Sequence, residues 1–123
     1  MTLLIDSSVL VDYVRRHPPA IDFMRKLSGK PSISVVTIQE LYAGAHSSRD
    51  EAKIETSLPG WNVYQVSVPI ARSAGQHMRH FAPSHGLDDL DAIIAATAEH
   101  HQLQLATLNV KHFPMIRRLK RAY

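Results

Sequence analysis

The sequence predicts a three-layer α/β/α domain with a mainly parallel central sheet of four or five strands. Short apolar, β-rich runs alternate with segments of helical periodicity along the whole chain. Each run leads into a helix, and parallel neighbours need such crossover helices, which then cover both sheet faces. At 123 residues with no repeat or linker, the chain is expected to form one domain over residues 1–123.

The first strand is predicted in the run TLLID, where three apolar residues end at Asp6. Residues 7–16 then have apolar side chains at helical spacing, and the prolines that follow His17 end this helix. A second short helix is predicted over residues 20–27, with Gly29 as its C-terminal stop. Asp6 therefore stands where the first strand leaves the sheet.

The middle of the chain repeats the pattern of a strand followed by a helix. Residues 32–37 (SISVVT) predict the second strand, and the apolar spacing that begins at Ile38 predicts the next helix. The charged residues 47–58 predict a solvent-facing helix that ends near Pro59. A third strand over residues 61–66 and a helix over residues 68–81 follow, so this half adds a second and a third strand–helix unit.

The stretch LDDLDAIIAATA, residues 87–98, begins with three aspartates and then becomes wholly apolar. It follows a predicted loop over residues 82–86, and a helix that is apolar all round is normally buried. Residues 103–108 predict the fourth strand, which leads to Asn109. The carboxylates at the start of a buried helix are the first indication of a metal site.

Composition limits the possible functions. With no cysteine, disulfide frameworks, thiolate zinc sites and cysteine catalysis are excluded, and a reducing cytosol suits the chain. Neither a membrane-spanning run nor a signal peptide is expected, which predicts a cytoplasmic protein with no membrane partner. Of the 14 Lys and Arg residues, five lie from Lys111 onward without an acidic residue, so residues 1–110 carry nine basic against 11 acidic residues, a net charge of −2. The basic end either contacts phosphates or is a solvated segment.

Four polar residues are predicted to lie at one edge of the sheet. Asp6 ends the first strand, Glu40 and Asp91 lie in the first turns of two helices, and Asn109 follows the fourth strand. Ligands of open α/β sheets bind outside the carboxyl ends of the strands, where these side chains converge. Carboxylate and amide oxygens suit Mg²⁺ or Mn²⁺, so the pattern predicts a divalent metal site.

Each of these residues also has a purely structural explanation. Asp6 could cap the next helix, and Asp88 with Asp91 has an acidic capping spacing. Thr37 and Glu40 fit the capping-box pattern, and Asn109 suits a turn. A cap explains one helix at a time, whereas a metal site explains all four positions together.

The sequence resembles PIN-domain nucleases, and more narrowly the VapC-type toxin ribonucleases of type II toxin–antitoxin pairs. The matching segments are LLIDSSVLVDY, SVVTIQELYAGA and LDAIIAATAEHHQLQLATLNVKHF, which cover both ends and most of the length. The resemblance implies that Asp6, Glu40, Asp91 and Asn109 are the family's four-position acidic motif. It implies supporting hydroxyls at Ser8 (or its neighbour Ser7) and Thr107. The basic ending MIRRLKRAY departs from the short apolar strand usual in the family, which argues against a fifth strand.

The resemblance implies a metal-dependent endoribonuclease that hydrolyses phosphodiester bonds in RNA. It also implies a homodimer that a cognate antitoxin protein inhibits. In this hypothesis Asp6, Glu40 and Asp91 bind Mg²⁺, for which Mn²⁺ can substitute, and Asn109 adds a neutral oxygen or positions water. Candidate RNA contacts are the basic residues Arg15, Arg16, Lys111, Arg117 and Arg118.

Three other interpretations each fit part of the sequence. A catalytically inactive PIN-like RNA-binding module would keep the fold, but the three acids are intact. An aspartyl-phosphate phosphatase or receiver-like domain of the dehalogenase type needs a second aspartate two residues after the first, where this chain has Ser8. The histidines His85, His100, His101 and His112 lack recognised zinc spacing and are expected at the surface.

Overall fold

The fold is a four-stranded parallel sheet in the order β3-β2-β1-β4, which confirms the predicted class. The strands are β1 (Leu3–Ile5), β2 (Ser32–Ser34), β3 (Asn62–Tyr64) and β4 (Gln104–Ala106). The structure is a computed structural model that describes residues 2–123, with only the backbone of His85. Because the chain moves outward from β1 to β3 and then returns to the other side of β1, the strand order reverses at β1.

Helices cover both faces of the sheet. They are α1 (Ser7–Val14), α2 (Pro18–Arg25), α3 (Val35–Ala43), α4 (Ser48–Ser57), α5 (Val68–His85) and α6 (Asp89–His100), followed by a 3₁₀ turn at Val110–His112. Successive residues of β1 point to opposite faces, as in any strand. Ile5 packs with residues of α1, α3 and α4, whereas Leu4 packs against α6 and Phe113. A further cluster joins α5 to the outer side of α6.

The second strand is shorter than predicted, and its helix begins earlier. The Ser34 hydroxyl accepts a hydrogen bond from the Val36 N–H at 3.2 Å and caps α3, which therefore starts at Val35. The β-branched residues 35–37 suggested strand, but the cap and tertiary packing outweigh that weak local preference. Glu40 accordingly lies in the second turn of its helix, not the first, and the proposed Thr37–Glu40 capping box is wrong because Thr37 lies inside α3.

Other helix boundaries also differ from the prediction. The helix α2 ends at Arg25 with Lys26 as its C-cap, so Gly29 is not its C-terminal stop. Pro18 and Pro19 begin α2 rather than only ending α1, because the first helical positions need no N–H partner. Residues 82–85 were predicted as a loop but extend α5 past Pro83. The helix ends instead at Gly86, whose φ of 61° is a left-handed conformation that favours glycine, and its N–H bonds the Ala82 carbonyl at 2.9 Å.

The basic C-terminal segment is attached to the sheet edge but forms no fifth strand among the described residues. One parallel bridge pairs Thr107 with Arg121, and the Ala122 N–H donates to the Thr107 carbonyl at 2.9 Å. The Tyr123 hydroxyl donates to Asp12 Oδ2 at 2.6 Å. This end is therefore held in place rather than merely solvated. No helix in residues 2–123 is long and apolar enough to span a membrane.

Candidate active site

The central strand β1 delivers Asp6 to the point where the strand order reverses. Asp6 directly follows β1, and β1 lies between β2, which runs into α3, and β4, which runs toward Asn109. Glu40 on α3 and Asp91 in the first turn of α6 complete the arrangement, because these two helices contact each other. This is the crevice in which open parallel sheets bind ligands.

Two hydroxyl groups hold the Asp6 carboxylate. Asp6 is buried, with 2% of its surface exposed, and its Oδ2 accepts hydrogen bonds from Ser8 Oγ at 2.9 Å and Thr107 Oγ1 at 2.7 Å. Each hydroxyl is itself fixed by a main-chain donor, since the Leu108 N–H donates to Ser8 Oγ and the Asn109 N–H to Thr107 Oγ1, both at 3.0 Å. The turn after β4 is thus tied to the end of β1. Asp6 makes no side-chain capping bond to α1, so the cap explanation is wrong for this residue.

The second carboxylate oxygen of Asp6 has no hydrogen-bond partner in the described part of the chain. Asp6 Oδ1 and Glu40 Oε1 are both buried and have no hydrogen-bond partner among the described residues. Leaving a buried polar atom unpaired typically costs about 1–3 kcal/mol, and more for a charged group. Two such oxygens on neighbouring carboxylates are what a site built to receive a cation leaves free.

The pKa of the Glu40 carboxyl is raised well above its ordinary value. Burial raises its pKa to about 7, helped by the charges of Asp6, Asp91 and Asp88 and opposed by the Ser7 hydroxyl. Clustered carboxylates without a counter-charge hold their protons to higher pH. The raised pKa shows that Glu40, Asp6 and Asp91 lie close enough to feel one another's charge.

The pKa of Asp91 is raised in the same way, but the Asp91 carboxylate also has a side-chain partner, His112. Burial and then the Asp6 charge raise the pKa of Asp91 to about 6, while His112 lowers it. His112 Nδ1 lies 3.3 Å from Asp91 Oδ2. The 3₁₀ turn after β4 therefore reaches the site twice, through the Asn109 main chain and through the imidazole of His112.

The two extra aspartates have different environments. Asp88 caps α6, because its Oδ1 accepts a hydrogen bond from the Leu90 N–H at 2.9 Å. Its charge also raises the pKa of both Glu40 and Asp91. Asp89 is exposed. Asp88 is thus a helix cap that adds negative charge to the site.

The acids do not form a finished ligand set. Within residues 2–123, apart from the His85 side chain, no three acidic or histidine side chains are arranged closely enough to hold a metal ion as they stand. The chemistry of the donors nevertheless fits a hard divalent cation: carboxylate oxygens, two of them buried and unpartnered, with no sulfur.

The predicted basic residues divide into separate groups. Lys111 lines a pocket with Asn109 and His112, beside the acids. Arg117 and Arg118 line a different groove, along the outer edge of β4. Arg15 and Arg16 are exposed after the end of α1, and Arg15 borders a small cleft between α1, α3 and α4. Lys111 thus shares a pocket with the predicted site residue Asn109.

Sequence reasoning missed two contacts of the site. His112 is exposed, as predicted for this group of histidines, but its contact with Asp91 was not predicted. It stands three residues after Asn109, and side chains three apart in a 3₁₀ turn eclipse one another. Ser7 was only an alternative to Ser8, yet its hydroxyl lowers the pKa of Glu40. His100 and His101 are exposed as expected, with His101 packed on Tyr64 at 4.3 Å between ring centres, and the His85 side chain lies outside the described part.

The chain is similar to known proteins in both sequence and fold. The PIN domain family model matches residues 3–118. Ribonuclease VapC10 of Mycobacterium tuberculosis is 40% identical over 121 residues, which cover 96% of this chain and 90% of the relative. Ribonuclease VapC19 of the same organism is 36% identical and covers 98% of both chains. Among solved structures, a toxin–antitoxin complex from Klebsiella pneumoniae contains a chain with a TM-score of 0.84 and 28% identity, covering 99% of this chain and 98% of that one.

Proposed function

The chain belongs to the PIN-domain family, among the VapC ribonucleases, and on that premise we propose that it is a Mg²⁺-dependent endoribonuclease that acts as the toxin of a toxin–antitoxin pair. The substrate is RNA, and the reaction is hydrolysis of its phosphodiester bonds. The catalytic residues are Asp6, Glu40, Asp91 and Asn109, and the first three hold the metal.

One observation carries the metal dependence. Asp6 Oδ1 and Glu40 Oε1 are buried oxygens on adjacent carboxylates that no described residue satisfies. Since burying an unpaired carboxylate is costly, a fold that keeps two of them together needs a counter-charge. Mg²⁺ provides that charge and prefers these oxygens, and Mn²⁺ can take its place.

The chain's own residues divide the work. Ser8 and Thr107 orient Asp6 through hydrogen bonds to Oδ2, so that Oδ1 faces the reaction. Glu40, whose pKa is raised to about 7 while the carboxyls lack a counter-charge, must lose its proton to bind a cation, and His112 contacts Asp91. A divalent cation bound by these carboxylates supplies an activated water and neutralises charge on the scissile phosphate. Asn109 contributes a neutral oxygen that positions water or substrate.

Relatives and neighbours support the biological assignment. The two named relatives are ribonucleases, and the Klebsiella pneumoniae neighbour comes from a toxin–antitoxin complex. We extend this to a cognate antitoxin protein as partner, to a homodimer and to a cytoplasmic location. The antitoxin would inhibit the enzyme at these same acids, because a segment that covers the carboxylates blocks both the metal and the RNA substrate.

The test is RNA cleavage by the wild type and by Asp6→Asn. Purified wild type should cut total RNA with millimolar Mg²⁺ or Mn²⁺ and stop with EDTA. Mapping of RNA 5′ ends after brief expression in cells should give sites that appear only with the wild type and identify the substrate.

Because metal charge stabilisation supplies several kcal/mol, Asp6→Asn should lose about 10³-fold or more in rate. Asp91→Asn serves as a second variant with the same expected loss. RNA binding without cleavage would contradict the enzyme and favour the inactive RNA-binding module.

A further inference from the structure

A basic pocket adjoins the acidic site on the side of the 3₁₀ turn. It has a volume of 280 Å³ and is lined by Leu108, Asn109, Val110, Lys111, His112 and Arg121. Three of its six residues, Leu108, Asn109 and His112, also contact the acidic site. The N–H groups of Leu108 and Asn109 donate to the Ser8 and Thr107 hydroxyls, and His112 contacts Asp91. The pocket and the acidic site therefore share a wall.

Arg121 reaches this pocket because the C-terminal segment is held by its main chain. Thr107 pairs with Arg121 in a parallel bridge, and its carbonyl accepts the Ala122 N–H at 2.9 Å. The Thr107 hydroxyl meanwhile donates to Asp6 Oδ2 at 2.7 Å. One residue thus links the arginine's backbone to the catalytic carboxylate, and the arginine side chain is not needed for the pairing.

The two cations of the pocket have no acidic counterpart. Lys111 and Arg121 are exposed, and neither forms an ion pair with an acidic side chain in the described part of the chain. They belong to the segment from residue 111 onward that carries five basic residues and no acid. Unpaired charges beside a carboxylate cluster favour a polyanion that presents negative charge at regular intervals.

We propose that this pocket is a phosphate subsite of the enzyme, in which Lys111 and Arg121 bind a backbone phosphate next to the scissile one. The inference rests on the proposed function. RNA fits better than an acidic protein segment, because an RNA strand can place one phosphate at the acids and its neighbour against Lys111 and Arg121. His112 lies between the two positions and contacts Asp91, so it separates the basic pocket from the metal-binding carboxylates.

The test measures RNA binding as a function of salt in the full-length protein. Binding of a fluorescein-labelled single-stranded RNA of mixed sequence is followed by anisotropy with Mg²⁺, in an Asp6→Asn background that prevents cutting. The variant Lys111→Gln/Arg121→Gln keeps the aliphatic parts of both side chains and the main-chain bridge. The matched control is Lys26→Gln/Lys30→Gln, which removes the same charge. These lysines lie beside Thr2 and Gln104, at the amino ends of β1 and β4 and so at the other end of the strands from the acids.

Each phosphate contact contributes about −0.7 to the salt slope of single-strand binding, so losing two contacts should make the slope shallower by about 1.4. Between 50 and 200 mM salt, the parent should lose about sevenfold more affinity than the Lys111→Gln/Arg121→Gln variant. The control should keep the parent's slope, and melting temperatures should match throughout.

Equal slopes in the pocket variant and the control would overturn the subsite, and an acidic protein partner would then be the better occupant. Cleavage of total RNA by the protein with an intact Asp6 is measured in parallel. Cleavage with equal slopes refutes the subsite alone, whereas a shallower slope without cleavage refutes the proposed function and keeps the pocket as an RNA site.

Discussion

The strand side and the helix side of the acidic site are built differently. On the strand side, Asp6 is fixed by the hydroxyls of Ser8 and Thr107, which two main-chain donors fix in turn. On the helix side, Glu40 and Asp91 have pKa values raised to about 7 and about 6 by burial and mutual repulsion. Glu40 Oε1, like Asp6 Oδ1 on the strand side, has no hydrogen-bond partner among the described residues.

The strand side of the site orients a carboxylate, whereas the helix side adds negative charge. The strand ends give Asp6 a defined direction before any ligand arrives, because parallel neighbours deliver β1 and the turn after β4 to the same edge. The helices add negative charge that the protein does not neutralise. The site is therefore preorganised on one side and electrostatically unsatisfied on the other, and each side should respond to a different perturbation.

The largest expected effect comes from removing the strand side's main hydroxyl. Thr107→Val deletes the 2.7 Å bond to Asp6 and leaves the Asn109 N–H without its acceptor. Loss of a hydrogen bond to a charged group should lower the free energy of unfolding by about 2 kcal/mol. RNA cleavage should fall about 10–100-fold, as when the outer partner of a metal ligand is lost.

Thr37→Val is the matched control for that substitution. Thr37 is equally buried, but its hydroxyl has no hydrogen-bond partner in the described residues. The isosteric change should leave stability equal or raise it by about 1 kcal/mol, with cleavage unchanged. Equal losses in both variants, measured by urea unfolding and initial rates, would mean that the Thr107 hydroxyl does not orient Asp6.

The helix side should show itself in the pH dependence of stability. Glu40 and Asp91 hold protons to higher pH in the folded chain than the ordinary values of 4.5 and 3.8. Their contribution to the free energy of unfolding is therefore fully present below those values and is lost as pH rises through about 6 and about 7. In EDTA, the free energy of unfolding of Glu40→Gln should therefore fall much less with rising pH than that of the wild type.

The measurement is urea unfolding of wild type and Glu40→Gln between pH 4 and pH 8, which covers the interval of the Glu40 shift. Only the difference between the two proteins matters, because all other residues are common to both. Glu40→Gln should gain stability relative to wild type as pH rises. If the free energies of unfolding of the two proteins changed in parallel with pH, the pKa of Glu40 would not be raised in the folded protein.

A smaller effect should come from Asp88, which caps α6 and adds negative charge to the site. Asp88→Asn preserves a good N-cap for α6 but removes a charge that raises both neighbouring pKa values. Stability should change by less than about 0.5 kcal/mol, and carboxyl-carbon NMR titrations should give lower pKa values for Glu40 and Asp91. Unchanged titrations would leave Asp88 as a cap alone.

The sequence predicted the strand side more fully than the helix side, for physical reasons. Asp6 and Thr107 sit at the ends of short apolar runs, where alternation with helices indicates parallel strands and a shared edge. The register of Glu40 was wrong by one turn, because a single serine cap at Ser34 moves the start of α3 back to Val35. Local β preference gives no sign of that cap.

Contacts that depend on the chain's final path were beyond sequence reasoning. His112 meets Asp91 only because the turn after β4 folds over the start of α6, and Arg121 reaches the same edge through one bridge to Thr107. Both belong to the basic C-terminal segment, for which the sequence left phosphate contact and solvation equally open. Long-range pairing of this kind leaves no periodic signal along the chain.

The most direct test of the central claim, that distant parts of the chain build a cation site, is a titration with Mg²⁺. Calorimetry of wild type at millimolar Mg²⁺ should show binding, and the melting temperature should rise; at 100 times the Kd the stabilisation is about 2.7 kcal/mol. Asp91→Asn should bind weakly or not at all. No heat and no thermal shift, in a protein whose Asp6→Asn variant still cuts RNA, would contradict the account.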